Sequence, residues 1–199
     1  MTLEKKMTEF RIETDSLGKV KVPKKKYWGS QTQRSFENFK IGSDKIPMRL
    51  IVAFAMQKKA AAISNIAIGN LDTKIGNQII NVCDEIIKRK LDDHFPLSVW
   101  QTGSGTQTNM NLNEVIANKA NHNLGKNLGN YDPIHPNDHC NLGQSSNDSF
   151  PTAMHIAAAE EIHHKLIPAV QKLRSEISSK SNLDITKNRK NVLLHIFNE

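Results

Sequence analysis

Several features that mark other classes of protein are missing from this 199-residue chain. It has only two cysteines, Cys83 and Cys140, and neither lies in a Cys-x-x-Cys pair, so the chain lacks both a disulfide framework and a zinc-finger pattern. No apolar run approaches the roughly 20 residues that cross a bilayer, and no apolar segment near residue 1 resembles a secretory signal. We therefore expect a cytoplasmic protein with two buried, unreactive thiols and no membrane partner.

The middle of the chain lacks the surplus of basic residues that a nucleic-acid-binding surface needs. The chain has 27 Lys and Arg against 20 Asp and Glu, a net charge of +7. The surplus lies in residues 1–26 and 180–199, which leaves residues 27–179 nearly neutral. Aromatic residues, which could stack on bases, make up only 6%. The sequence therefore predicts no nucleic-acid partner.

The spacing of apolar residues predicts a mainly α-helical chain with a small N-terminal hairpin. Apolar and polar residues alternate on both sides of a turn at 15–18, which indicates two short strands. From residue 49 the spacing becomes helical. The predicted helices run to a stop at Gly69, from an N-cap at Asp72 to residue 90, over 112–124, and from Pro151 onward.

The last predicted helix carries an apolar stripe that has nothing to pack against within the chain. Its members are Met154, Ile162, Leu166, Val170, Leu173 and Ile177. A helix gains most of its stability from packing such a stripe, so we expect partners from other subunits or from further sequence. Pro168 should kink this helix or begin a new segment.

Two polar loops, residues 101–111 and 144–148, each lead into a helix and are the best candidates for a binding site. They consist mostly of glycine and of side chains with a hydroxyl or an amide. Helix N-termini offer unpaired N–H groups and a partial positive charge, which favour anions. Two such loops could hold both ends of a dicarboxylate. The alternative is that these residues only cap their helices.

A third polar segment, His135-Pro136-Asn137-Asp138-His139, lies between the two loops. Two histidines four residues apart could form part of a metal site, although Pro136 opposes a helix there. The alternative is a surface loop with capping Asn and Asp. No Gly-x-Ser-x-Gly elbow indicates covalent catalysis.

Several of these motifs resemble class II fumarate hydratase, a family of the aspartase/fumarase superfamily. They are WQTGSGTQTNMN at 100–111, NEVIAN at 113–118, HPNDH at 135–139, QSSND at 144–148 with FPTAMHI after it, and YWGSQTQRS at 27–35. The resemblance covers about residues 8–180. Aspartate ammonia-lyase is the nearest alternative, and Gln107, His135 and Ser146 favour fumarate hydratase over it.

This resemblance implies reversible trans-hydration of fumarate to L-malate in the tricarboxylic acid cycle, by a homotetramer without cofactor or metal. It implies a lyase-type N-terminal domain over 1–142 and the start of a helical-bundle domain over 143–199. The substrate-binding residues it implies are Ser104, Gly105, Thr106, Ser145, Ser146 and Asn147. It also implies a second, non-catalytic dicarboxylate site at His135, Pro136, Asn137 and Asp138.

The chain departs from the family toward its end. The family's catalytic-serine loop is absent, and residues 187–196 read KNRKNVLLHI where a Thr-His-x-Gln-Asp segment is expected. We therefore assign no catalytic role to His195, expect little activity from the chain alone, and consider a frameshift. Asn141-Leu142-Gly143 replaces the usual Asn-Lys-Ser. A non-catalytic dicarboxylate-binding or interaction fragment is the remaining alternative.

Overall fold

The computed structural model describes residues 9–187, and their side chains up to residue 181. The expectations for residues 188–196, His195 included, lie outside the described residues. Two compact units divide the chain after Ala157. None of the described helices is long and apolar enough to cross a membrane. The predicted domain division after residue 142 concerns the longer family members and stays a prediction.

The N-terminal hairpin is confirmed. Strands β1 (Phe10–Asp15) and β2 (Gly18–Pro23) pair antiparallel, with Glu13 opposite Val20. The Asp15 carboxylate accepts a hydrogen bond from the Leu17 N–H at 2.9 Å, which closes the turn. Gly18 has φ +105, a value that side-chain-bearing residues rarely adopt. The turn chemistry therefore explains why the hairpin was recognisable in the sequence.

Helices form most of the rest of the described chain, as predicted, although the sequence does not predict the first of them. The helices are α1 (Ser30–Asn38), α2 (Met48–Ala67), α3 (Thr73–Ile87), α4 (Thr106–Asn123), α5 (Ser146–Glu161) and α6 (Ile167–Lys187), with a short 3-10 turn at Asp92–His94. The predicted N-cap of α3 is present, because the Asp72 carboxylate accepts bonds from the N–H groups of Lys74 and Ile75 at 2.8 and 3.0 Å.

The apolar core of the first unit joins α2, α3 and α4. Its fully buried members include Phe54 and Ala55 of α2, Ile79, Val82 and Ile86 of α3, and Leu112, Val115 and Ile116 of α4. Burying each of the larger side chains contributes roughly 1.5–3 kcal/mol. Cys83 and Cys140 belong to this core as free, buried thiols, and burial raises the pKa of both. Both cysteines therefore behave as the small buried residues expected.

Helix α4 is buried on nearly all sides, whereas the sequence predicted one apolar face. Its amides hold neighbouring loops in place. Asn121 exchanges two hydrogen bonds with the backbone of Ile134, at 2.8 and 3.0 Å. Asn118 donates to the carbonyl of Tyr27 and accepts from the N–H of Gly129, both at 2.8 Å. This satisfies buried polar groups that would otherwise oppose folding.

Two helix starts differ from the prediction. Helix α5 begins at Ser146, and Pro151, the predicted start, lies inside it. The Ser145 carbonyl anchors the new start, because it accepts bonds from both the N–H and the hydroxyl of Ser149 at 2.8 Å. Helix α4 begins at Thr106, six residues earlier than its first predicted apolar position. Both loops are therefore shorter than expected.

In the second unit, a π-helical turn at Ile162–Leu166 leads into α6. Pro168 is the second residue of α6, so the predicted new segment at this proline is confirmed. A proline cannot donate to the preceding turn and collides with it in regular α geometry, which a wider turn relieves. The apolar stripe is exposed, with Leu173 and Ile177 at 61% and 60%.

Candidate dicarboxylate-binding site

The first half of the candidate site is the N-terminus of α4. Gly105 is the N-cap residue and adopts φ +72, the left-handed conformation that favours glycine. The hydroxyl oxygens of Ser104 and Thr106 lie 3.1 Å apart on the exposed side of this turn. The Thr102 hydroxyl donates to the side-chain carbonyl of Gln107. The glycine therefore lets the chain turn so that two hydroxyls face outward beside free helix N–H groups.

The second half is the N-terminus of α5. The carbonyl of Ser145 accepts bonds from the backbone N–H groups of Asp148 and Ser149, at 3.1 and 2.8 Å. Ser145 and Asn147 are exposed, and Ser146 is half-buried. This start needs no local side-chain cap, so the Ser145, Ser146 and Asn147 side chains are left available at the surface.

The two halves meet. The hydroxyl oxygens of Thr106 and Ser146 lie 3.2 Å apart although 40 positions separate them in the sequence. Behind them the ring of Phe150 packs directly on Gly105, so closely that a β-carbon there would overlap the ring. The sequence predicts that the two loops could hold the two ends of one dicarboxylate, and the structure brings Ser104, Thr106 and Ser146 into one chain of hydroxyls. Within the described residues, the Ser145 and Asn147 side chains make no hydrogen bond to the α4 loop.

The electrostatics of this surface favour an anion without a salt bridge. Each helix N-terminus carries the equivalent of about half a positive charge. Residues 101–109 and 144–148 contain no lysine or arginine, and their one charged residue is Asp148. The donors are therefore neutral hydroxyl, amide and backbone N–H groups, which can bind carboxylate oxygens from several directions.

Beneath the two loops lies an amide network that the sequence analysis did not identify. The side-chain oxygen of Asn141 accepts from the amide nitrogens of Asn109 and Asn113, at 3.1 and 3.4 Å. The Asn141 amide nitrogen in turn donates to the Gln144 carbonyl at 3.0 Å. Asn109 and Asn113 each keep a buried side-chain oxygen without a partner in the described part of the chain. Asparagines on a helix carry no sequence signal for such a network.

Asn141-Leu142-Gly143, which replaces the family's usual Asn-Lys-Ser, still forms a regular turn. The N–H of Gln144 donates to the Asn141 carbonyl at 3.0 Å, and Gly143 supplies φ +70. The Leu142 carbonyl accepts from the Asn65 side chain at 3.0 Å. Backbone groups and Asn65 of α2 therefore hold this turn, and the Leu142 side chain packs against the apolar core.

The segment 135–139 is a separate, self-bonded turn. The N–H of His135 donates to His139 Nδ1 at 2.8 Å, and the N–H of Asp138 donates to His135 Nδ1 at 3.3 Å. His135 Nδ1 also lies 3.2 Å from an Asp138 carboxylate oxygen. Pro136 is buried and Asn137 is exposed. No hydrogen bond among the described residues joins this turn to Thr106 or Ser146, and no cluster of three metal-binding side chains is found there.

Comparison with known proteins places this geometry in a family. Residues 18–186 match the model of a family described as lyase. The chain is 56% identical over 172 residues to the class II fumarate hydratase of Campylobacter jejuni, which covers 86% of this chain and 37% of that protein. It is 57% identical over 174 residues to the mitochondrial fumarate hydratase of Danio rerio, covering 86% of this chain and 34% of that one.

Solved structures agree with the sequence relatives. The class II fumarase of Schistosoma mansoni superposes with a TM-score of 0.79 at 43% identity, covering 82% of this chain and 34% of that one. This chain therefore spans less than two fifths of the length of the curated relatives named above.

Proposed function

Because this chain belongs to the lyase family, we propose that it is the N-terminal part of a class II fumarate hydratase, which adds water reversibly to fumarate to give L-malate. The observation that carries the proposal is the 3.2 Å contact between the Thr106 and Ser146 hydroxyls. It joins the N-termini of α4 and α5 in one surface of neutral donors, which can bind the carboxylates of a dianion.

Each loop contributes to binding the carboxylates. Fumarate has one carboxylate at each end of a rigid double bond, so its two charged groups need donors at two fixed positions. In our proposal Ser104, Gly105 and Thr106 supply donors from α4, and Ser145, Ser146 and Asn147 supply donors from α5. Removing a proton beside a carboxylate places extra charge on that carboxylate. Preorganised donors stabilise this charge most, and such stabilisation usually accounts for more of an enzyme's rate enhancement than any other effect.

We assign no proton-transfer residue to this chain. No described side chain near Thr106 and Ser146 combines proximity with a suitable acid or base, since Asp148 is exposed and belongs to the α5 start. The proposal therefore gives this chain the binding part of the reaction and leaves the proton transfers to other parts of the enzyme. On this basis we expect no measurable hydration by the chain alone.

The exposed apolar residues support an assembly. Val170, Leu173 and Ile177, which recur at helical spacing along α6, are 55%, 61% and 60% exposed. An exposed apolar stripe on one helix is typical of interfaces. We propose that they are covered in a homotetramer that works in the tricarboxylic acid cycle, in the cytoplasm, without cofactor, metal, nucleic acid or membrane.

The turn at His135, Pro136, Asn137 and Asp138 remains our proposal for a second dicarboxylate site. Its backbone is well organised, but Asp132 and Asp138 bring negative charge beside it. A dianion would therefore bind there more weakly than at the α4 and α5 N-termini.

A titration tests the proposed site directly. Fumarate is added to the isotopically labelled chain at pH 7 while the backbone amide resonances of Thr106, Ser146 and Asn147 are followed. We expect saturable shifts at these positions that succinate reproduces, because both are four-carbon dicarboxylates, and that acetate does not. Absence of shifts there up to high millimolar fumarate would contradict the proposal. Parallel assays with ammonia in place of water distinguish an aspartate ammonia-lyase in the complete enzyme.

A further inference from the structure

Lys58, on α2, has a side chain that is 1% exposed, and it is the one fully buried lysine in the described part of the chain. Its ammonium group donates to the side-chain oxygens of Gln144 and Asn141, at 3.2 and 3.4 Å. It also lies 5.2 Å from the centre of the Phe54 ring. Between residues 9 and 181, no carboxylate forms an ion pair with Lys58. Among the described residues, two amide oxygens and an aromatic face therefore compensate for burying this charge.

Such a placement is costly for stability. Burial lowers the pKa of Lys58 to about 8. The amine is still mostly charged at pH 7. An apolar side chain of similar length would fit the same core without desolvating a charge. A reason other than stability is needed for a cation at this position.

The contacts of Lys58 supply that reason. Gln144 directly precedes Ser145 and Ser146, and Asn141 joins the same turn to Asn109 of α4. The ammonium group therefore bonds to the segment that connects the two halves of the candidate site. Because the two loops contain no lysine or arginine, Lys58 is the cation to which their hydrogen-bond network leads.

We propose that Lys58 is a positioning residue for the dicarboxylate site, which acts through Gln144 and Asn141 to orient the turn ahead of Ser145 and Ser146. Its charge also favours an anion at the adjoining N-terminus of α5. This inference rests on the proposed function, because it concerns the same site. A purely structural lysine would affect folding alone, whereas a positioning lysine also sets the affinity and its dependence on pH.

The thiols that surround Lys58 do not titrate in the pH range in which Lys58 loses its proton, so the titration of Lys58 can be followed through binding. The groups that face it are the amides of Asn141 and Gln144, the Phe54 ring, the thiol of Cys83 on α3, and the thiol of Cys140, which directly precedes Asn141. Burial raises the pKa of both thiols, so they stay neutral up to pH 9. Succinate is fully ionised over this range. The part of a change of affinity between pH 7 and pH 9 that disappears in Lys58→Met therefore reports on Lys58.

The test is a succinate titration of the full chain at pH 7 and pH 9, with Lys58→Met as the variant. We expect the unaltered chain to bind roughly five- to tenfold more weakly at pH 9, as a group titrating near pH 8 would cause. Lys58→Met should bind at least tenfold more weakly at pH 7 and show no such pH dependence. Lys59→Met is the matched control, because Lys59 forms an ion pair with Asp84 at 2.7 Å on the outside of the same helix.

A second measurement needs no ligand. Amide hydrogen exchange at residues 145–149 should become about tenfold faster in Lys58→Met, while the urea midpoint stays the same or rises. Should Lys58→Met fail to fold, Gln144→Glu is the second variant. It places a carboxylate beside the Lys58 ammonium group and keeps the amine charged to higher pH. The loss of affinity with rising pH should therefore move above pH 9 in this variant.

The outcomes separate the two proposals. If the unaltered chain binds succinate and Lys58→Met binds it equally at both pH values, with unchanged exchange, Lys58 has no positioning role and the proposed function stands. An unmoved pH profile in Gln144→Glu overturns the inference in the same way. If the unaltered chain binds no dicarboxylate, the proposed function is wrong, and the inference is wrong with it.

Discussion

The ring of Phe150, in the first turns of α5, packs directly on the α-carbon of Gly105 at the start of α4. This contact fixes the distance between the two helix N-termini and leaves the Thr106 and Ser146 hydroxyls 3.2 Å apart on the outer side. Gly105 is also in the left-handed region, at φ +72. The position therefore excludes a side chain for two independent reasons, space and backbone conformation.

Replacing Gly105 should consequently be the most damaging small change in either loop. We expect Gly105→Ala to lower the free energy of unfolding by roughly 2–4 kcal/mol, the sum of left-handed strain and overpacking against Phe150. Urea denaturation followed by circular dichroism measures this.

Two glycines serve as matched controls. Gly103 has an ordinary φ and open space where its β-carbon would lie, so Gly103→Ala should change stability by less than about 1 kcal/mol. Gly143 has φ +70 but no close neighbour, so Gly143→Ala measures the strain alone, about 1–2 kcal/mol. Equal losses for Gly105→Ala and Gly143→Ala would show that the Phe150 contact contributes nothing.

Glu114 of α4 should be essential for α1. Its carboxylate accepts bonds from the backbone N–H groups of Gly29, Gln31 and Thr32, at 2.9, 2.8 and 3.0 Å. Glu114→Ala would leave these buried donors unpaired, so we expect a loss of about 3–5 kcal/mol in the free energy of unfolding.

The control for Glu114 is Glu85→Ala. Glu85 lies 3.6 Å from Lys119 in a partly exposed ion pair, and pairs near the surface are worth roughly 0–1 kcal/mol. A Glu114→Ala variant as stable as Glu85→Ala would mean that α1 does not depend on this cap.

The contact between Glu114 and the start of α1 also explains which elements can be predicted from the sequence and which cannot. The hairpin and α3 were recognisable because their signals are local, the turn before Gly18 and the cap at Asp72. The sequence gives no signal for helix α1, because Gly29 provides no side-chain cap and the capping carboxylate of Glu114 lies 85 positions away. No pattern within a short window carries that information.

The candidate site was predictable to a similar extent. Both polar loops were found from their composition, and their meeting at Thr106 and Ser146 was expected from the diacid they should bind. The sequence predicts the start of α5 five residues late, because Pro151 gives a stronger local signal than the contacts of Ser149 with the Ser145 carbonyl. Lys58 was overlooked because, beside Lys59, it resembles an ordinary surface lysine. Only the three-dimensional packing distinguishes the two.

His94 should make the fold sensitive to acid. Its Nδ1 accepts the N–H of Tyr27 at 3.0 Å, and the ring packs on Tyr27. Burial, followed by the nearby Lys26, lowers the pKa of His94 to about 4. The unfolded chain therefore binds this proton first, so the stabilisation is complete above about pH 6.5 and is lost as the pH falls toward 4.

Urea midpoints between pH 7.5 and 4 measure this loss. We expect His94 to account for roughly 1–2 kcal/mol of it, since its ring is only partly shielded from solvent. His94→Gln, whose side-chain oxygen can accept the same N–H, should flatten that part of the profile. His164→Gln, at an exposed position on the second unit, should not. Parallel profiles for all three proteins would contradict the role of His94.

The Thr106 hydroxyl should matter for binding and hardly for folding, because it is exposed. We expect Thr106→Val to weaken fumarate binding at least tenfold, since a donor of about 1–3 kcal/mol to a charged group is lost. Calorimetric titration with fumarate measures the change. Thr108→Val is the matched control. The Thr108 hydroxyl bonds Gln101 at 3.2 Å inside the protein, so its removal should lower stability and leave fumarate binding intact.

The central claim is that these two loops hold the substrate of a fumarate hydratase, and one chimera tests it most directly. Residues 1–181 of this chain are joined to the remaining C-terminal part of the Campylobacter jejuni class II fumarate hydratase, to which the chain is 56% identical over 172 residues. The absorbance of fumarate is then followed. We expect sustained hydration by the chimera, a loss of at least a hundredfold in kcat/KM in the Thr106→Val and Ser146→Ala double variant, and no hydration by the chain alone. A folded chimera whose turnover is unaffected by the double variant would contradict the account.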